Sequence, residues 1–133
     1  MKVLITGAAG SVGRHLVRHC LENGWSIRAY DASPAVGSLG DGLPAGRAGL
    51  LDTVCARVED VESLGEAVAG VDAVVHLAWS FSEDPKTLLA TDINGHIELL
   101  ECMAWHSRGR GSGTLQRLRW KRCGRPSWRP SAV

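Results

Sequence analysis

Residues 3–13, Val-Leu-Ile-Thr-Gly-Ala-Ala-Gly-Ser-Val-Gly, decide the fold of this 133-residue chain. The run from Lys2 to Thr6 is apolar and β-branched, which is typical of a strand buried on both faces of a parallel sheet. Three glycines follow. We expect Gly7 to permit a sharp turn, Gly10 to let the backbone approach a phosphate, and Gly13 to let the next helix pack closely.

The residues after these glycines have the period of an amphipathic helix. Its predicted apolar face, turned toward the sheet, consists of Val12, Leu16, Val17, Cys20 and Leu21. Gly24 predicts the end of the helix. Residues 25–30 then form a second apolar run, which predicts a second strand.

An acidic residue follows this second strand. Asp31 lies eighteen positions after Gly13, where a carboxylate can accept hydrogen bonds from both hydroxyls of a ribose. The amides near Ser11 and Val12 lie at the positive end of the helix dipole, which favours a pyrophosphate without any basic side chain. Strand, glycines, helix and acid occur in the order of a dinucleotide-binding unit, so we prefer that interpretation to a glycine-rich turn without a ligand.

The glycine spacing, Gly-x-x-Gly-x-x-Gly, resembles the NAD-dependent epimerase/dehydratase family, the extended type of short-chain dehydrogenase/reductase. Residues 70–79 are similar to its fourth strand. Residues 88–103 are similar to one of its helices, and within them residues 92–101 match the motif written Asn-Val-x-Gly-Thr-x-Asn-Leu-Leu-Glu. Trp79 replaces an alanine of that family and Asp92 an asparagine. The resemblance covers residues 1–104 and implies an α/β fold, a Rossmann-like parallel sheet of about four strands with flanking helices.

NAD is the cofactor that this resemblance implies. The residues expected to hold it are Gly7, Gly10, Ser11, Val12, Gly13 and Asp31. By resemblance alone, the residues flanking the adenosine and the nicotinamide ribose are Val58, Leu77, Ala78 and Trp79.

Asp31 favours NAD over NADP, because a carboxylate about 4 Å from a 2′-phosphate costs roughly 1 to 4 kcal/mol. Arg28 and Arg57 would reduce that penalty. Arg57 stands where the family has the acid that meets adenine. Asp60 is close by, but its place before residues 61–69 favours a helix N-cap over an adenine contact.

Composition predicts one soluble domain, since 44% of the residues are apolar and no run is long enough to span a membrane. We expect no signal peptide and a cytoplasmic location. Residues 34–49, rich in glycine and proline, predict a flexible surface loop rather than a helix. The cysteines have no paired spacing, which favours reduced thiols over a zinc site or a disulfide framework: Cys20, Cys55, Cys102 and Cys123. The histidines form no metal cluster: His15, His19, His76, His96 and His106. His15 and His19 are four residues apart, a spacing compatible with a metal pair, but without a third ligand we expect them to be surface histidines.

The chain changes character near Trp105. Residues 1–104 hold seven basic and fourteen acidic residues, whereas residues 105–133 hold eight basic and no acidic ones. We favour an out-of-frame or disordered tail, while two alternatives stay open. In one, the basic residues with Trp120 and Trp128 bind nucleic acid. In the other, residues 114–120 form a substitute fifth strand.

The family's catalytic Ser or Thr and its Tyr-x-x-x-Lys pair are not recognisable, and Tyr30 is the only tyrosine. We therefore expect a cofactor-binding fragment that is not catalytically competent alone. In an intact protein the expected reaction is hydride transfer on a nucleotide sugar or a similar substrate. The strand order of the fold would leave residues 73–78 at an open sheet edge, which predicts self-association.

Overall fold

The computed structural model describes residues 1–44 and 46–108. Four parallel strands form one sheet in the order β3-β2-β1-β4. Their bounds are β1 Lys2–Thr6, β2 Ser26–Asp31, β3 Leu51–Cys55 and β4 Ala73–His76. The Rossmann-like α/β architecture expected from the sequence is confirmed.

Helices follow β1, β3 and β4. Helix α1 spans Ser11–Glu22, and helix α2 spans Val61–Val68. The last helical region begins as α3, Pro85–Leu88, passes through a π-helical segment, Leu89–Asn94, and continues as α4, Gly95–Arg108. It is therefore longer at both ends than the helix predicted over residues 88–103.

Side chains alternate between the two faces of the sheet, and each face has its own core. Val3 and Ile5 point to the side of α1, where they pack with Val17 and Leu21. On the other face Leu4 and Tyr30 pack among side chains of α2 and α4: Leu64, Ala67, Val68, Leu99 and Cys102. This two-sided burial explains why the first strand reads as continuously apolar.

Two expectations about the surroundings of the sheet are wrong. Val12, predicted on the buried face of α1, is 65% exposed, because it lies in the first helical turn, beyond the end of β1. The segment predicted as a loop contains two short 3-10 helices, Pro34–Ser38 and Ala48–Leu50. Ser33 caps the first of these, and Val36 anchors it in the core at 1% exposure.

The edge of the sheet formed by β4 is less covered than its centre. All four residues of β4 are only half-buried, whereas Val3, Leu4 and Ile5 of β1 are buried. Within the described residues, β4 pairs with β1 alone. The residues proposed as a substitute strand, 114–120, lie outside that part of the chain, as do all the basic residues of the tail except Arg108, which ends α4.

Cys20 and Cys55 are free thiols, and Cys123 lies beyond the described residues. Over residues 1–44 and 46–108, no three potential metal ligands lie together. The helices of this same part are too short or too polar to cross a membrane.

Candidate cofactor-binding site

A cleft of about 410 Å³ opens at the carboxyl ends of the strands. In this strand order the chain reverses direction across the sheet between β1 and β4, and ligands of open α/β sheets bind in the crevice outside such a point. Seven of the ten predicted site residues line the cleft: Gly7, Gly10, Asp31, Val58, Leu77, Ala78 and Trp79. Ser11, Val12 and Gly13 lie beside it, in the first turn of α1.

The glycines between β1 and α1 have three different environments. Gly7 has φ of +68°, and a Cβ there would lie 2.6 Å from the backbone nitrogen of Ala78. A Cβ on Gly13 would lie 2.2 Å from the carbonyl oxygen of Gly7, so the helix can approach the loop only because this side chain is absent. A Cβ on Gly10 would meet nothing nearer than that same oxygen at 3.2 Å, which leaves the space in front of the helix open.

The amino terminus of α1 fits an anion. Gly10 is its N-cap and makes no side-chain cap, and the first turn carries no acidic residue. The first amides of a helix have no intrahelical acceptor, and those of Ser11 and Val12 are both in exposed residues. A pyrophosphate would satisfy these donors and meet the positive end of the dipole.

Asp31, the last residue of β2, is held by backbone donors. Its Oδ2 accepts from the Ala9 amide at 2.9 Å, and its Oδ1 accepts from the Ser33 amide at 2.8 Å. Arg14 donates through Nη2 to the Ala9 carbonyl at 2.7 Å, which fixes the loop from the helix side. A carboxylate oxygen accepts more than one hydrogen bond, so Asp31 can still receive ribose hydroxyls in this position.

The opposite end of the cleft is built around Val58, which is buried at 5% exposure. Val58 packs against Gly95 of α4, where a Cβ would lie 2.6 Å from Val58 Cγ2. The Tyr30 hydroxyl donates to the Arg57 carbonyl at 2.7 Å and so ties this segment to β2. Asp60 accepts from the Ser63 amide at 3.2 Å, which confirms its prediction as an N-cap.

Of the two arginines expected to moderate the charge of Asp31, only Arg57 lies in the cleft. Arg28 pairs with Asp52 at 2.7 Å and donates to carbonyls at the end of α2, so the idea that it moderates Asp31 is wrong. Asp52 lies directly opposite Arg28 in the register of β2 and β3, and Arg28 does not line the cleft. Arg57 does line the cleft, with 62% of its side chain exposed and Glu59 3.1 Å away.

Glu59 is a cleft residue that the sequence did not single out. Burial alone would raise its pKa, but hydrogen bonds from Thr91 and Arg57 outweigh burial and the pKa is lowered. Its Oε2 is buried and has no hydrogen-bond partner among the residues described. No local sequence pattern predicts the role of Glu59, because its partner Thr91 lies 32 residues away in the π-helical segment.

Side chains hold the wall of the cleft after β4. Thr6 Oγ1 lies 2.6 Å from His76 Nδ1, and the Ser80 amide donates to Asp92 Oδ1 at 2.7 Å. Beyond these bonds the wall carries two large exposed aromatic side chains, Trp79 at 65% and Phe81 at 95% exposure. The sequence indicated Trp79 only by resemblance and did not predict the bonds of His76 or Asp92.

Tyr30 cannot replace the family's catalytic phenol in this position. It is fully buried, and burial together with Asp60 and Glu59 raises the pKa of its hydroxyl. Its proton is engaged by the Arg57 carbonyl, so its role is structural.

Comparison with known proteins places these features in a family. The model of the family described as NAD dependent epimerase/dehydratase matches residues 3–112. Among curated proteins, a 3-beta-hydroxysteroid dehydrogenase of Mycolicibacterium neoaurum is 38% identical over 77 residues, covering 58% of this chain and 19% of that protein. Cinnamoyl-CoA reductase 1 of Petunia hybrida is 30% identical over 103 residues, covering 77% of this chain and 31% of the reductase.

Solved structures agree. Uronate dehydrogenase from Agrobacterium tumefaciens is 30% identical with a TM-score of 0.64, covering 80% of this chain and 37% of its own. A UDP-glucose-4-epimerase from Stenotrophomonas maltophila, with bound NAD and formylated UDP-arabinopyranose, is 25% identical with a TM-score of 0.67, covering 80% of this chain and 34% of its own. The chain thus spans between a fifth and two fifths of these proteins, and it belongs to the NAD dependent epimerase/dehydratase family.

Proposed function

We propose that residues 1–104 bind NAD(H) in the cleft between the ends of β1 and β4. The observation that carries this proposal is the uncapped amino terminus of α1, which stands over a glycine loop at the switch point of the sheet. In this arrangement the amides of Ser11 and Val12 hold the pyrophosphate, and Asp31 holds the adenosine ribose. Val58 contacts the adenosine, and the wall from Leu77 to Trp79 flanks the nicotinamide ribose.

The bound nicotinamide supplies hydride transfer, and the chain's own residues bind and orient it. We propose that this chain is not catalytically competent alone, because its single tyrosine is the buried Tyr30. For the whole protein we propose an oxidoreductase or isomerase acting on a hydroxyl or carbonyl group, as in nucleotide sugars. Related proteins have names that specify different substrates, so the shared cofactor part does not select among them.

We further propose a preference for NAD over NADP and a reducing, cytoplasmic setting. The preference rests on Asp31, whose carboxylate would face the 2′-phosphate of NADP across the ribose. Arg57 at the rim of the cleft acts in the opposite direction, but its guanidinium is shared with Glu59. The free thiols of Cys20 and Cys55 accord with a reducing compartment.

Calorimetric titration with NAD and NADP tests the cofactor proposal. Wild type should bind NAD at least roughly tenfold more tightly than NADP. Asp31→Asn should lower the affinity for NAD and reduce the ratio between the affinities for NAD and NADP. Asp41→Asn, which removes the same charge from an exposed residue outside the cleft, should leave both affinities unchanged. Tighter binding of NADP than of NAD by wild type would overturn the proposed preference.

A further inference from the structure

We infer that Thr6 and His76 form a positioning pair that sets the shape of the cofactor cleft, and that the pair works only while His76 is uncharged. This inference concerns regulation of the same site and rests on the proposed cofactor binding. The two residues end β1 and β4, the strands on either side of the switch point. A bond between them joins the two strands from which the walls of the cleft extend, one residue before the lining residues Gly7 and Leu77.

The hydrogen bonds of Thr6 assign the direction of this bond. Thr6 Oγ1 accepts from the Ala78 amide at 3.4 Å and from the Leu77 amide at 3.3 Å, and the Leu77 amide is shared with the Thr6 backbone carbonyl at 3.1 Å. A hydroxyl has two lone pairs and one proton, so both acceptor positions are then used. The remaining proton points to His76 Nδ1 at 2.6 Å, which must therefore act as an acceptor. Only the neutral tautomer with its proton on Nε2 can accept there.

Protonation of His76 would place a third donor on the Thr6 oxygen. One of the three bonds must then lengthen, and the two amide bonds are already the longer ones. Those amides belong to Leu77 and Ala78, whose backbone lies against Gly7 so closely that a Cβ on Gly7 would be 2.6 Å from either residue. A shift of this backbone therefore alters the contact between the glycine loop and the opposite wall of the cleft.

The groups around His76 favour its uncharged form. The ring of His96, on α4, is 5.1 Å away between centroids, and Asp92 approaches from the π-helical segment. Burial, and then His96, lower the pKa of His76, while Asp92 acts in the opposite direction. A folded-state pKa below the ordinary value means that the unfolded chain binds the proton first as pH falls. Stability is therefore lost as pH falls from the ordinary histidine value, about 6.5, toward the folded one.

NAD affinity measured at about pH 8 and about pH 5 tests the pair, because the neutral form of His76 dominates at the higher pH and protonation is favoured as the pH falls. Wild type should bind about three- to tenfold more weakly at the lower pH, the size expected from one hydrogen bond. His76→Asn keeps an acceptor near the place of Nδ1 but does not titrate. It should bind like wild type at the higher pH and lose the pH dependence.

Thr6 provides the second pair of variants. Thr6→Ser keeps the hydroxyl and should retain both affinity and pH dependence, whereas Thr6→Val should bind weakly at both pH values. His19→Asn, which removes an exposed imidazole from α1 away from the cleft, should titrate like wild type. A pH dependence that survives in His76→Asn, or is lost in His19→Asn, would overturn the inference.

A measurement without cofactor separates this inference from the proposed function. In the free protein, the NMR amide signals of Leu77 and Ala78 should shift with the same midpoint as the His76 ring. Matching midpoints would support the positioning pair even if the protein did not bind NAD at about pH 8. The absence of NAD binding at that pH would reject the proposed function alone. Amide signals of Leu77 and Ala78 that do not shift as the His76 ring titrates would reject the positioning pair, whether or not the protein binds NAD.

Discussion

The two walls of the candidate cofactor cleft are built by different means. The wall after β1, residues 7–13, is held by backbone approach, and a single added carbon on Gly13 would meet the Gly7 carbonyl at 2.2 Å. The wall after β4, residues 77–84, is held by side chains, through His76 to Thr6 and Asp92 to Ser80. Gly7 and Gly13 of the first wall therefore tolerate almost no substitution, whereas the second wall permits changes that adjust the site without unfolding the chain.

The largest effect is expected on the first wall. Gly13→Val should lower the free energy of unfolding by more than about 3 kcal/mol, because the new side chain meets backbone atoms that cannot rotate away. Denaturant unfolding followed by circular dichroism measures this loss. Gly49→Val is the matched control, since a Cβ at Gly49 meets nothing within 4 Å. Equal stability of the two variants would show that α1 does not depend on this close approach.

The strand behind the second wall should exchange its amides more readily than the strand behind the first. The Leu77 amide, immediately after β4, donates to the Thr6 carbonyl of β1, so by alternation the amides of Val74 and His76 point to the open edge. Their hydrogen exchange should be at least about a hundredfold less protected than that of Ile5, which lies between two strands.

Equal protection of β4 and β1 amides would show that another chain segment, such as residues 114–120, covers this edge. Self-association through β4 is the other explanation for equal protection of the β4 and β1 amides. In that case protection should increase with protein concentration, and sedimentation should detect the dimer at the same concentrations.

Removing one side-chain bond of the second wall should have an intermediate effect. Asp92→Ala should lower the free energy of unfolding by about 1 to 2 kcal/mol, because the Ser80 amide loses its charged acceptor. Asp92→Asn keeps an acceptor oxygen and should stay close to wild type in thermal unfolding. A loss as large in the asparagine variant would indicate that the charge, rather than the hydrogen bond, stabilises this wall.

The smallest effect on stability is expected for Trp79→Ala, below about 0.5 kcal/mol, since the side chain is 65% exposed. The affinity for NAD should nevertheless fall several-fold if the indole covers the nicotinamide ribose. Leu100→Ala, at a position 51% exposed on α4 and outside the cleft, should change neither quantity. Unchanged affinity for NAD in Trp79→Ala would show that Trp79 does not contact the cofactor.

The same difference between the walls explains what the sequence could predict. Glycine spacing and apolar period follow from backbone requirements within one short segment, so β1, α1, β2 and the cap at Asp60 were predictable. Bonds such as those of His76 and Glu59 join residues 70 and 32 positions apart, and no local pattern reports them. Val12 was misplaced because helical period alone does not show where the sheet ends.

Two further departures have the same origin. The 3-10 helix at residues 34–38 depends on Val36 reaching the core beside α1, a tertiary contact that outweighs the local glycines and prolines. Arg28 was expected to reduce the penalty that Asp31 imposes on NADP, but it pairs with Asp52, and this pairing is set by the register of β2 on β3.

Calorimetric titration of NAD into wild type and Gly10→Glu tests the central claim, that the glycine loop before α1 binds the cofactor. The new carboxylate would occupy the open space before the helix dipole and repel a pyrophosphate there. Gly49→Glu adds the same charge at an exposed residue of the 3-10 helix before β3, outside the cleft. The account predicts binding in wild type and Gly49→Glu and none in a folded Gly10→Glu. Equal affinity in all three proteins, or no binding to folded wild type, would contradict it.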